Sequence, residues 1–153
     1  MLTTFWEPIK LSIIVTIAAG IIVVITGTLF GLLFAKKQFK GKILVETIFM
    51  LPLVLPPSVI GFLLIVVFGN QGVIGTWIKE IFGHSIIFTS YAAVIAATVV
   101  AFPLMFQTAK AGFQGVHRKF EEAAKDLGAT NFQVFLRVSL PLAKRALLTG
   151  TVL

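Results

Sequence analysis

Hydrophobic residues in this chain come in long uninterrupted runs. No charged residue occurs from Leu11 to Ala35. A helix of that length, at about 1.5 Å rise per residue, reaches roughly 38 Å and crosses a ~30 Å hydrocarbon core with some tilt. Similar runs predict spans over 43–68 and 87–109, the latter starting at Ile86 or Ile87. A fourth run begins at Ala146 and stops at Leu153, about 12 Å of helix and too short to cross. The expectation is an all-α integral membrane protein, a multi-span helical bundle with three full spans and the start of a fourth, truncated before its C-terminal helices. The first run is too long for a signal-peptide core, and it lacks a basic n-region and an A-x-A-like site. It therefore reads as a span.

The periodicity changes between the runs. Phe120, Ala123, Ala124 and Leu127 follow the i, i+3, i+4, i+7 spacing of one helix face, with Glu121 and Glu122 expected to pair with Lys125. Gly128 suits the position just past a helix, and Thr130 or Asn131 suits a cap for the next. A second short helix then places Phe132, Phe135 and Leu136 on one face, and Ser139 and Pro141 punctuate the start of the fourth run. Two short helices joined by a glycine turn, over about 110–145, form a docking element, with a flat bilayer surface as the competing partner. Between the second and third runs, Gly69, Gly72 and Gly75 permit tight turns. Thr76 is expected to cap a short helix with Trp77, Ile78, Ile81 and Phe82 on one face and Gly83 at its end, at the outer membrane interface.

Composition agrees with the runs. Hydrophobic residues make up 58% and charged residues 12%, and mean hydropathy is +1.01. That leaves too little polar surface for a soluble domain. Cysteine is absent, so no disulfide or thiolate site is available, and His84 and His117 stand far apart without a metal-ligand cluster. The net charge of +7 is distributed between apolar runs rather than on one face, which argues against nucleic acid as a partner. Lys36, Lys37, Lys40 and Lys42 follow the first run. Lys110, Arg118, Lys119, Lys125, Arg137, Lys144 and Arg145 follow the third. Of the 13 Lys and Arg residues, only Lys10 and Lys79 fall elsewhere. By the positive-inside rule, the 110–145 loop is expected in the cytoplasm and the N-terminus outside, in the plasma membrane.

Within the second run, Pro52, Pro56 and Pro57 each remove a donor, so the helix must kink or unwind. Freed carbonyls in lipid are tolerated only against protein or water, so this stretch either lines a translocation path or shapes packing. Pro103 releases the carbonyl of Val99 in the same way. Glu46, near a helix N-terminus, is expected to snorkel or to pair with Lys42. No ionisable group lies near the middle of a run, which argues against a proton- or sodium-coupled carrier.

Glu122-Ala123-Ala124, three residues, Gly128, nine residues, then Val138-Ser139-Leu140-Pro141 resembles the EAA loop of ABC importer permeases. The one departure is Val138, where the family pattern has isoleucine. The resemblance implies a type I importer permease fold in which Glu122, Ala123, Ala124, Gly128, Val138, Leu140 and Pro141 couple to a separate ATPase. The proline-bearing segment Leu51–Gly61, the glycines after it and Phe102-Pro103-Leu104-Met105 are similar to the molybdate permease branch, with sulfate permeases as close relatives. That branch implies a homodimer of five or six spans, importing molybdate or tungstate with two ATPase subunits and an external oxyanion-binding protein. The expected N-outside orientation fits five. No cofactor is expected on this chain, which has no phosphate loop, and ATP is used by the partner. A tetrahedral oxyanion is expected to meet hydroxyls, backbone N–H groups and helix ends, with Pro52, Pro56, Pro57, Ser58 and Thr98 as candidate pathway residues. Sulfate or thiosulfate transport and a non-transport membrane scaffold are the alternatives.

Overall fold

A computed structural model describes residues 2–83 and 86–152, with the side chains of 2–5 and 82 excepted. His84, Leu153 and the face assigned to Phe82 lie outside the described residues.

The described chain is helical over most of its runs, with the third run turning helical only from Ser90. Helix α1 (Leu2–Lys36) starts well before the charge-free stretch. Glu7 and Lys10 precede that stretch, yet they sit at helical spacing and pair at 3.4 Å, so the helix continues through them. Helices α2 (Lys42–Val54) and α3 (Pro57–Phe68) follow, then α4 (Val73–Phe82) and α5 (Ser90–Gln114). Trp6–Lys36 and Ser90–Gln114 are long and apolar enough to cross a membrane.

The segment 42–68 is two helices bent by 117°. The sequence explains the break. Pro57 bars the residue before it from helical geometry, and Pro56 is extended at φ −56°, ψ 143°. Pro57 then occupies the first turn of α3, where a missing N–H costs nothing, and the Pro56 carbonyl accepts from Val59 and Ile60. Pro52 and Pro103, by contrast, are carried inside continuous helices.

Helix α4 ends as expected at Gly83, which has φ 74° and donates to the Lys79 carbonyl. Its start differs. Gly72 precedes the helix, and Thr76 lies a full turn inside, where its hydroxyl donates to the Gly72 carbonyl at 2.8 Å. A threonine hydroxyl within a helix bonds back to the previous turn as readily as it caps.

Two compact units divide the chain. The first comprises Met1–Ile22 and Thr47–Ala101, the second Val23–Glu46 and Phe102–Leu153. In the first, α3 and α4 meet across the glycine-rich turn, and α3, the 86–89 segment and the start of α5 line an apolar cavity of about 450 Å³. The second unit carries most of the core. Val23, Met105, Ala109, Phe113 and Ala143 form one buried cluster. Phe34 adds to it, edge-on to Phe39 and Phe106. Close backbone approach is what permits this core. A Cβ placed on Gly31 would lie 2.6 Å from the Ala109 Cβ, and one on Gly112 would lie 2.6 Å from the Ala146 Cβ. Small residues at helix contacts are what lipid-embedded bundles use, since apolar side chains gain nothing by leaving lipid for one another.

Most large apolar side chains point outward. Ile13, Ile14, Ile17, Ile21 and Ile25 of α1 are all exposed, and so are Phe62, Ile65 and Val66 of α3. A surface this apolar is stable only against lipid or other protein.

Candidate functional site: the loop helices and their anchor

The segment after α5 builds two short helices and a turn, all within the second unit. Helix α6 (Arg118–Asp126) begins after His117, and its first turn carries Glu121. Its end is a Schellman turn. Gly128, at φ 86°, donates to the Lys125 carbonyl, and Ala129 donates to that of Ala124. A side chain at residue 128 would be strained whatever space surrounds it. Thr130 then starts α7 (Asn131–Val134) with a full capping box: its hydroxyl accepts from the Gln133 N–H, and the Gln133 side chain accepts from the Thr130 N–H. The sequence offered Thr130 and Asn131 as caps; the structure uses Thr130.

Helix α7 does not stop before the fourth run. It passes through a π-helical turn (Phe135–Ser139) directly into α8 (Leu140–Val152), with the Leu140 N–H donating to the Phe135 carbonyl five residues back. Pro141 explains the widened turn. It has no N–H for the Arg137 carbonyl, and its ring would crowd that carbonyl in a regular α-helix. One inserted residue turns the following face by roughly 100° relative to an unbroken helix, and such turns recur at functional sites.

The motif residues are thereby placed individually. Glu122 and Ala123 are exposed on α6, Ala124 is half-buried, and Gly128 lies in the open turn. Val138 and Leu140 are half-buried in and just after the π turn, and Pro141 is exposed. Around them stands an exposed apolar surface. Leu127 is 90% exposed, Phe132 69% and Phe120 55%, while Leu136 is also exposed. Phe135 does not join them, because it packs against Phe113 with ring centroids 6.3 Å apart. The expected single face of Phe132, Phe135 and Leu136 is therefore divided between core and surface.

The carboxylates also depart from expectation. Glu121 and Glu122 do not bond Lys125. Glu122 pairs with Arg118 one turn earlier at 2.8 Å, largely in solvent. Glu121 is reached by the Lys36 ammonium, from the end of α1, at 2.6 Å, and by the Ser139 hydroxyl, which donates at 2.5 Å. Lys36 also donates to the Ser139 oxygen at 3.2 Å, closing a three-membered network. Ser139 is fully buried, the one buried polar residue among those described. Burial alone would raise the Glu121 pKa, but the hydrogen bonds from Lys36 and Ser139, with the charges of Lys36 and Lys125, outweigh it and hold the carboxyl below its ordinary value. Lys125 thus acts on Glu121 through its field, not through a bond.

Glu46 likewise finds a different partner. Its Oε1 lies 2.7 Å from the Lys110 ammonium, off the line of a hydrogen bond, so the contact is an ion pair. Lys42 turns away to the Lys37 carbonyl at 3.2 Å. Sequence separation hid both long-range pairs. Lys36 and Glu121 stand 85 residues apart, and no local spacing rule connects them.

The candidate pathway residues differ in exposure. Pro56, Pro57 and Ser58 are exposed, Pro52 is half-buried, and the half-buried Thr98 spends its hydroxyl on the Val94 carbonyl at 2.7 Å. Neither Ser58 nor Thr98 lines the apolar cavity of the first unit. Among the described residues, no group of His, Cys, Asp or Glu could hold a metal ion.

Long apolar helices and small-residue contacts define a multi-pass membrane protein, and its two-helix loop presents an exposed apolar face. The chain belongs to the family of binding-protein-dependent transport system inner membrane components, whose profile matches residues 27–153. It is 51% identical to the putative molybdenum transport system permease protein of Bacillus subtilis, over 97% of this chain and 66% of that protein. It is 39% identical to the molybdenum transport system permease protein of Escherichia coli K12, over 97% and 65%. The probable sulfate transport system permease protein of Prototheca wickerhamii is 38% identical, over 88% and 54%. The chain thus spans less than two thirds of the length of these relatives.

Proposed function

We propose that this chain is part of the membrane-spanning subunit of an ATP-driven importer of molybdate or tungstate, moved by a separate ATPase. The observation that carries this reading is the loop. Its Glu122-Ala123-Ala124…Gly128 spacing falls on an ordered helix–turn–helix that leaves Phe120, Leu127 and Phe132 exposed. An amphipathic helix with aromatic side chains on its open face suits a groove in a partner protein. The subunit itself performs no chemistry and binds no cofactor; ATP is hydrolysed by the partner. An external oxyanion-binding protein delivers the anion, and two permease copies in lipid enclose the path.

The arrangement in the bilayer is part of the same proposal. Spans run over about 11–35, 43–68 and 87–109, the second as the broken pair α2 and α3. The N-terminus is outside and the 110–145 loop cytoplasmic, because the basic residues gather at 36–42 and 110–145. The break at Pro56 and Pro57, with Pro52, Ser58 and Thr98, borders the path, since unpaired backbone near Pro56 needs water or protein. The identities to molybdenum permeases favour molybdate over sulfate, the second reading, which the 38% identity to a sulfate permease keeps in view.

The test uses the full transporter in proteoliposomes. Molybdate uptake should require ATP and the binding protein, and sulfate should compete poorly. Gly128→Pro or Leu127→Asp should abolish co-purification with the ATPase while leaving the subunit in the membrane. Retention of the ATPase by both variants would refute the assignment of the loop.

A further inference from the structure

The network at the base of the loop has features that docking alone does not require. Helix α6 carries the open apolar face on one side and Glu121 on another. That carboxylate is only 18% exposed. It is held by a residue from the end of α1, 85 positions away, and by the last residue of the π turn that leads into α8, so three segments converge on one oxygen, Oε1 of Glu121.

A surface ion pair is a weak connection, because water and salt screen it and its side chains are free to leave. This network differs in its third member. The fully buried Ser139 has no water to replace Glu121, so its hydroxyl loses its acceptor if Glu121 moves away. The π turn before Leu140 is what sets Ser139 at this place on the helix, one residue out of α-helical register. The two receiving helices are themselves seated in the core. Phe34, two residues before Lys36, is wedged edge-on between Phe39 and Phe106. Gly112 of α5 lets Ala146 of α8 approach closely. Displacement of α6 therefore cannot be absorbed by slack in α1 or α8.

We propose that Lys36, Glu121 and Ser139 are the positioning residues that transmit movement of the loop helix α6 to α1 and α8, distinct from the exposed residues that contact the ATPase. The inference rests on the transport reading above and adds to it the internal end of the coupling path. The exposed motif residues decide whether the ATPase binds. The Lys36–Glu121–Ser139 network decides whether its motion is passed on.

Two measurements test this. In proteoliposomes holding the complete transporter, Lys36→Met and Glu121→Gln should still co-purify with the ATPase. Molybdate taken up per ATP hydrolysed should fall roughly fivefold or more, the low end of ordinary coupling energies. The charge swap Lys36→Glu with Glu121→Lys should recover most of that loss, which a merely structural defect would not do. An unchanged uptake-to-hydrolysis ratio in both single variants, or loss of the ATPase with no recovery on swapping, would overturn the proposal.

The second measurement does not depend on transport. The chain has no cysteine, so spin labels at Lys37→Cys and Lys119→Cys report the spacing of α1 and α6 without background. The distribution should be narrow with Lys36 present and broad in Lys36→Met. A distribution that stays narrow without Lys36 overturns the link whatever uptake does. Absence of molybdate uptake in the wild type, with the spin-label result as expected, would instead refute the transport reading and leave the α1–α6 link standing.

Discussion

Two glycines of the same helix provide an internal control for how α1 is packed. A Cβ on Gly31 would lie 2.6 Å from the Ala109 Cβ and 2.9 Å from the Lys110 backbone nitrogen, and one on Gly20 would meet nothing within 4 Å. Carbon atoms pack at about 3.5–4.0 Å, so Gly31→Ala is roughly 1 Å short of room against two atoms that cannot swing aside. Forcing a methyl into such a contact costs about 1–3 kcal/mol. Both substitutions share the helix-propensity gain of glycine to alanine, up to about 1 kcal/mol. Subtracting one from the other removes that gain. Gly31→Ala is therefore expected to be less stable than Gly20→Ala by about 1–3 kcal/mol, with Gly20→Ala at or above the wild type. Reversible unfolding in mixed micelles, read by Trp fluorescence, measures the difference. Equal stabilities for the two variants would mean that α1 and α5 do not approach as described, and the core built on Met105 and Ala109 would have to be redrawn.

Two further outcomes follow from the loop. Thr130→Ala removes one half of the capping box and should destabilise the α6–α7 turn by about 1 kcal/mol, seen as faster amide exchange at Gln133 with α1 unaffected. The Glu121 carboxyl is held below its ordinary pKa, so its contribution to stability is complete above the unfolded value near 4.5 and is lost as pH falls through the lower folded value. The stability gap between wild type and Glu121→Gln should therefore be constant from neutral pH to about 5 and close only in stronger acid. A gap that closes between pH 7 and 5 would contradict the network.

Local features of this chain were readable because local physics decides them. Gly83 and Gly128 end helices where the periodicity stops, and each has positive φ in the structure. A cap at Thr130 or Asn131 was legible, and the bond to Gln133 in the structure selects Thr130. Prolines were legible only in part. Pro56 and Pro57 break a helix outright, but Pro52 and Pro103 are carried inside continuous helices. Spacing alone cannot tell these cases apart.

What escaped the sequence is tertiary, and the carboxylates show why. Glu46 and Glu121 each had a lysine at good helical spacing, and each instead pairs with a lysine from another helix. An i, i+4 pair on a helix surface is worth only a few tenths of a kcal/mol, because both partners stay hydrated. Once packing takes a carboxylate partly out of water, the partner that can follow it inward prevails. Lys36 can follow Glu121 because α1 ends beside α6; Lys125, on the same helix as Glu121, reaches it only by its field. The same reasoning separates the two glutamates of the loop. Glu122 faces solvent and keeps a local partner, Arg118, whereas Glu121 is committed to the interior. Adjacent residues of one charge on one helix thus face different tasks because a helix turns by about 100° per residue, and only the packing of α1 and α8 determines which of them faces inward.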